Sequence, residues 1–197
     1  MNQAAITIRD AVPEDAGRLL EIYDYYVKYT AITFEYETPS LADFLSRMAA
    51  TQRRYPYLVI LSDGRVEGYA YAGPFKARAA YDRSVETTIY LAPDAQKRGL
   101  GRALYEALEQ ALRKMGILNL YACIGLPEHD DEYLTTNSAD FHAHLGYTTV
   151  GVFHKCGNKF GRWYDMTWME KFLGEHGENP PPVTDYPSLK NKKEKKG

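Results

Sequence analysis

Two cysteines, Cys123 and Cys156, are too few and too far apart in the 197-residue chain for a disulfide framework or a zinc site. Reduced thiols fit a cytosolic setting. No cluster of His, Cys, Asp and Glu has metal-ligand spacing, so no metal is expected. Neither sign of charge dominates: 24 Lys and Arg stand against 26 Asp and Glu, a net charge of -2. With a pI near 6.2, nucleic acid is not expected as a general partner. No apolar run approaches the length of a membrane span, and the N-terminus carries no basic and apolar export signal. A cytoplasmic protein without a membrane partner is expected. Its length suits one domain with a substantial core.

The informative stretch runs from Val85 to Met115. From Val85 to Leu91 residue character alternates, placing Val85, Thr87, Ile89 and Leu91 on one side of a strand and Glu86, Thr88 and Tyr90 on the other. Glu86 is thereby directed away from the core. Leu100, Leu104, Leu108, Ala111, Leu112 and Met115 recur at three- and four-residue steps, the buried stripe of a long helix that Gly116 ends. Between strand and helix lies Gln96-Lys97-Arg98-Gly99-Leu100-Gly101-Arg102. Its glycines let a backbone approach a ligand closely, and the helix start offers unpaired N–H groups and the positive dipole end. With Lys97, Arg98 and Arg102 alongside, this turn favours an anion such as a pyrophosphate, although basic turns before helices also occur without any ligand. A triphosphate P-loop is disfavoured because no Lys-Ser or Lys-Thr follows the second glycine, and a dinucleotide fingerprint because the third glycine is missing.

Around this unit, Ala5 to Arg9 alternates as a strand, and Pro13-Glu14-Asp15 opens a helix with Ala16, Leu19, Leu20, Tyr23, Tyr26 and Val27 on one face. Ser40 caps a helix through Met48, with Asp43 completing a capping box. Tyr57 to Leu61 and Val66 to Ala72 are strands joined by a hairpin turn at Asp63-Gly64. After the central helix come a strand from Leu118 to Ile124, an acidic insertion from Glu128 to Tyr133, and a helix from Thr136 to Leu145. Tyr147 to His154 reads as a strand, Lys155 to Gly161 as a turn, and Arg162 to Lys171 as the last strand, with Trp163 and Trp168 as core aromatics. Beyond Leu173, proline and lysine replace apolar residues that could offset chain entropy. Residues 1–173 are therefore expected to form a single domain and 174–197 a tail.

Three separate motifs resemble one family. Gln96-x-x-Gly99-x-Gly101 after a strand resembles the coenzyme A motif of the GCN5-related N-acetyltransferases (GNAT), and Phe141-His142-x-x-Leu145-Gly146-Tyr147 resembles their second coenzyme motif. The loop from Gly73 to Asp82, leading into Val-Glu-x-Thr-x-Tyr, is similar to that of the phosphinothricin and methionine sulfoximine acetyltransferase subgroup, as is Gly157-x-Lys159-Phe160-Gly161-Arg162-Trp163. The resemblance covers Ile6 to Lys171 and implies an α/β fold with a mixed, mostly antiparallel sheet carrying helices on both faces. It also implies that acetyl-CoA enters between the strands headed by Val85 and Leu118, splayed at their ends. Main-chain groups of Ile89, Tyr90 and Leu91 then align the pantetheine, and Lys97, Arg98, Gly99, Leu100, Gly101 and Arg102 hold the pyrophosphate. The usual asparagine of the second motif is Thr135 here, so either Thr135 or Asn137 contacts the pantetheine arm. Lys76, Arg78 and Tyr81 match residues at the acceptor's acidic groups. Phe34 falls in the loop that covers the acceptor, as a pocket wall or as an aromatic packed beneath that loop. The insertion from Glu128 to Tyr133 departs from the subgroup's pattern. A homodimer, with one subunit bordering the other's pocket, is implied as well.

The implied reaction is direct acetyl transfer from acetyl-CoA to the amine of a small amino-acid-like acceptor, of the phosphinothricin or methionine sulfoximine type. Glu86 is the expected general base, its alternative being an electrostatic anchor for the ammonium. Proton help to the thiolate comes from His142 or a tyrosine, although a lone histidine on a helix is more often structural. Direct transfer needs neither cysteine. A non-catalytic acetyl-CoA binder is the competing class, which the joint presence of Lys76, Arg78, Tyr81 and Glu86 opposes. Among other acceptors, a peptide N-terminus stays open, and two cations disfavour a polyamine.

Overall fold

Seven strands, β1 (Ile6–Asp10), β2 (Tyr57–Ser62), β3 (Arg65–Pro74), β4 (Ser84–Leu91), β5 (Asn119–Leu126), β6 (Thr148–Lys159) and β7 (Arg162–Phe172), build one sheet in the computed structural model. The structure describes residues 5–194. Strand order is β1-β2-β3-β4-β5-β7-β6, and only β4 and β5 run parallel. Five α-helices among the described residues accompany the sheet: α1 (Ala16–Tyr29), α2 (Leu41–Gln52), α3 (Leu100–Met115), α4 (Asn137–His144) and α5 (Tyr186–Glu194). Strand alternation assigns the two faces. Tyr90 of β4 meets Tyr23 and Tyr26 of α1 at ring-centroid distances of 5.1 and 5.0 Å, whereas Thr87 contacts the Tyr105 hydroxyl of α3 at 3.2 Å. Helices therefore cover both faces, and the sheet is mixed and mostly antiparallel as expected.

Local chemistry fixes the elements. Asp63 and Gly64 both take positive φ (50° and 82°), the geometry of a two-residue hairpin turn between β2 and β3. The Ser40 side chain accepts from the Asp43 amide at 3.1 Å and caps α2. Gly116, at φ 87°, closes α3. All six predicted stripe residues of α3 are buried, because a three-to-four-residue repeat keeps them on the sheet side.

The feature that makes a site is the β4–β5 junction. Pairing covers only Ser84 to Glu86 against Asn119 to Tyr121, after which the two strands separate. Edge groups of β4 beyond Glu86 consequently lack a strand partner. The Ala92 amide donates to the Glu67 carbonyl on the β3 side, so Leu91 and Ile89, alternating with it, turn their amides into the gap.

Two sequence expectations are corrected. β6 does not end at His154 but continues to Lys159 through a register shift between Phe153 and Gly157, leaving Phe160-Gly161 as the turn. A bulge absorbs the glycine and cation content that read as a loop. Trp163 is not a core aromatic: it is 62% exposed, because its partner Asn158 lies at the hairpin end. Trp168, nearer the centre of β7, is half-buried against Phe75. Residues 174–190, expected as a tail, lie along the surface, with α5 starting at Tyr186 and Val183, Tyr186 and Leu189 packed against the main core.

Candidate active site

Where β4 and β5 part, two adjoining cavities of about 540 and 530 Å³ open and share Ile32, Ile89 and Ser138 at their junction. Glu86, Thr88 and Tyr90 of β4, Cys123 of β5, Cys156 of β6, Phe34, Tyr105 and His142 line the first. The second runs past Leu91, Lys97, Gly99, Gly101 and Arg102 on one side and Thr135, Asn137 and Phe141 on the other.

Glu86 is half-buried, and among the described residues no hydrogen bond or ion pair engages its carboxylate. Burial raises its pKa above the ordinary carboxylate value, and the nearby Lys76 charge pulls it partly back. His142 is buried, with Nδ1 at 2.7 Å from the Ser138 carbonyl and Nε2 at 2.9 Å from the Tyr105 hydroxyl. A ring nitrogen facing a carbonyl must carry the proton, so neutral His142 presents Nε2 as an acceptor for Tyr105. Burial lowers the His142 pKa, which favours this neutral form. Thr87 extends the chain, 3.2 Å from the hydroxyls of both Tyr105 and Tyr147.

The second cavity has the chemistry of an anion cradle. Lys97 and Gly99 take left-handed φ of 59° and 78°, which tightens the turn, and no side chain caps the start of α3. First-turn amides of a 16-residue helix thus face the groove with Lys97 and Arg102 beside them. A Cβ on Gly101 would lie 3.2 Å from the Phe141 ring and 3.3 Å from Leu91, so only glycine keeps this wall close-packed. These features fit a diphosphate.

A family model for the acetyltransferase (GNAT) domain matches residues 8–168. The chain belongs to the GNAT acetyltransferase family. Phosphinothricin N-acetyltransferase of Streptomyces coelicolor is 36% identical over 86% of this chain and 98% of its own length. The L-methionine sulfoximine/L-methionine sulfone acetyltransferase of Salmonella typhimurium is 34% identical over 87% of this chain and 96% of its own. A GNAT superfamily phosphinothricin acetyltransferase from Sinorhizobium meliloti, solved in complex with acetyl-CoA, superposes with a TM-score of 0.81 at 36% identity, covering 92% of this chain and 98% of that one.

Within this GNAT site the residues singled out from sequence divide into three groups. Glu86, Tyr90, His142 and Phe34 meet in the first cavity, and Leu91, Lys97, Gly99, Gly101, Arg102 and Asn137 line the second, with Ile89 common to both. Thr135 lines the second cavity alongside Asn137. Phe34 is both wall and packed aromatic: Gly157 leaves room for its ring, which a Cβ there would meet at 2.5 Å. Leu100 is core, and the Arg98 guanidinium turns away to Ser62 Oγ at 3.0 Å. Lys76, Arg78 and Tyr81 are exposed on the loop after β3 and line neither cavity of the single chain.

Sequence reading missed Tyr105 and gave Lys159 no role of its own. Tyr105 falls three residues before Leu108, on the buried stripe, where a phenol requires a polar partner. Lys159 is 2% exposed and donates to the carbonyls of Thr30 at 2.8 Å and Thr33 at 2.7 Å. It thereby pins the loop that carries Ile32 between the cavities. The acidic insertion borders the second cavity rather than the first: Asp131, Glu132 and Tyr133 line it, and Arg162 holds Asp131 at 2.9 Å and Glu132 at 2.8 Å.

Proposed function

We propose that this chain transfers the acetyl group of acetyl-CoA directly to the amine of a small amino-acid acceptor, of the type named for its phosphinothricin and methionine sulfoximine relatives. One observation carries the reading. A half-buried carboxylate with no partner among the described residues shares a cavity with a buried Tyr105–His142 pair, and that cavity opens into an uncapped helix start.

Acetyl-CoA, when bound, supplies the activated acetyl carbonyl. An ammonium cannot attack a carbonyl until it loses a proton, and Glu86, whose pKa burial raises, accepts it directly or through one water. Gap-facing amides at Ile89 and Leu91 orient an extended pantetheine and donate to a carbonyl oxygen beside them. First-turn amides of α3, with Lys97 and Arg102, hold the diphosphate, while Thr135 and Asn137 form the opposite wall. The Tyr105 hydroxyl, held in place by His142 Nε2, provides the proton for the departing sulfur. Lys76, Arg78 and Tyr81 attract the acceptor's anionic group from the loop beyond Glu86, and Phe34 walls its cavity. Two cysteines without a disulfide suit a reducing cytoplasm. Exposed Val150, Phe153 and Trp163 on β6 and β7 support self-association as a homodimer, which light scattering measures.

A coenzyme A release assay tests the activity with phosphinothricin, methionine sulfoximine, methionine sulfone, unmodified amino acids and a peptide N-terminus. Saturable release with the amino-acid acceptors is expected. Acetyl-CoA binding without release on any amine would replace the enzyme with a binding module.

A further inference from the structure

The segment after β7 lies outside the matched GNAT residues, yet it makes a continuous series of contacts with one part of the fold. The Leu173 amide donates to the Leu118 carbonyl at 2.7 Å, immediately before β5. His176 Nε2 lies 2.6 Å from Asn119 Oδ1, and Asn119 Nδ2 donates to Ser84 Oγ at 3.1 Å. Arg83 donates to the carbonyls of Gly116 at 3.0 Å, Pro180 at 3.1 Å and Pro181. Arg54 ion-pairs with both Asp82 at 3.4 Å and Asp185 at 3.3 Å. The Arg54 carbonyl also accepts from the Tyr186 amide at 2.9 Å, and the Met115 carbonyl accepts from the Thr184 amide at 2.9 Å.

These contacts converge on residues 82–84 and 115–119, the roots of β4 and β5. That is the one parallel junction among the described strands, and it is held by three residue pairs. It begins at Ser84, directly after the loop carrying Lys76, Arg78 and Tyr81, and Glu86 is the last of its paired residues on β4. Exposed ion pairs such as those of Arg54 add little by themselves. The fixing strength comes from Val183, Tyr186 and Leu189 packed on the core, with backbone and guanidinium hydrogen bonds between them and the junction. No residue of the segment lines either cavity.

We propose that residues 173–190 form a positioning strap that fixes the root of the loop at 75–83 and the β4–β5 junction, setting affinity for the acceptor amine without touching the coenzyme groove. The loop's part in acceptor binding rests on the function proposed above; the mechanical role of the strap does not. The loop is anchored at its start by Phe75, stacked on Tyr121 at 4.3 Å and edge-on to Trp168, and at its end by Asp82 and Arg83, the end that the strap holds.

Two full-length variants test this: Tyr186→Ser with Leu189→Ser, which frees α5, and Arg83→Gln, which leaves the apolar contacts in place should the first fail to fold. Hydrogen exchange at 75–86, acetyl-CoA affinity by calorimetry and KM for methionine sulfone are measured. Exchange at 75–86 is expected to speed up about tenfold while the amides of α3 keep their protection. KM for the amine is expected to rise about tenfold with acetyl-CoA affinity unchanged within about twofold. Unchanged exchange at 75–86, or acetyl-CoA affinity falling in step with amine affinity, overturns the strap. If the unaltered protein turns over no amine, the proposed function fails, and exchange still decides the strap.

Discussion

His142 Nε2 lies 2.9 Å from the Tyr105 hydroxyl, with Nδ1 held on the Ser138 carbonyl. The imidazole therefore has no free nitrogen of its own for a reactant, and whatever proton it handles passes through Tyr105. Tyr105→Phe is expected to lower kcat about tenfold to a hundredfold with little change in either KM. His142→Ala in the same background should add much less than it does alone, because the two act as one unit. Independent, multiplicative losses in steady-state kinetics would separate the residues.

Glu86 makes a second prediction in which activity and stability move oppositely. Its folded pKa is raised, so the base form grows as pH rises through that value, and kcat/KM should follow with an acidic limb. Glu86→Gln is expected to lower kcat/KM about a hundredfold and abolish that limb; a limb that persists in the variant would falsify the base assignment. For stability, a raised carboxyl pKa means that the folded state holds its proton longer than the unfolded state does. The contribution is favourable below the unfolded pKa and is lost as pH rises through the folded one. Glu86→Gln should therefore raise Tm at pH 7, with the gain shrinking in acid.

Gly101 separates packing from propensity. Alanine inside a helix ordinarily adds up to about 1 kcal/mol. Here the new methyl meets Phe141 and Leu91 at 3.2 and 3.3 Å, and overpacking costs about 1–3 kcal/mol. Gly101→Ala is expected to leave Tm unchanged or lower and to weaken acetyl-CoA binding about tenfold by calorimetry, since the wall shifts into the groove. Tighter binding would exclude the close-packed wall.

Cys123 reports on the first cavity. Cys123 is exposed to the open cavity yet ringed by protein atoms, and that partial loss of solvent is the main reason its thiol is pushed up to about 11, with the Glu86 charge adding to it. In a Cys156→Ser background, iodoacetamide should label Cys123 slowly at pH 7, with a rate rising about tenfold per pH unit towards pH 10. An accepted amine should slow labelling, and Glu86→Gln should speed it at neutral pH. Fast labelling at pH 7, indifferent to amine, would place the thiol outside the acceptor cavity.

Much of this molecule was legible in periodicity. Alternation over Val85 to Leu91 and the three-to-four-residue repeat from Leu100 to Met115 are local consequences of strand and helix geometry, so the side chains facing core and gap follow without knowing the neighbours. The Gly99-x-Gly101 turn was legible for the same reason, since it lies within one strand–turn–helix unit. Partners distant in the chain were not. Which way Arg98 turns, where Trp163 ends up, and that Tyr105 meets His142 across 37 positions depend on how separate elements dock. The end of the chain shows the limit most plainly. Its composition predicts a tail along the surface, because lysine and proline bury little apolar area of their own, but not that Val183, Tyr186 and Leu189 find a surface already built by the rest of the fold. Sequence determined the elements and the coenzyme turn; only tertiary packing decided which side chains share a cavity and what the last residues hold in place, because those contacts join parts of the chain that no local pattern relates.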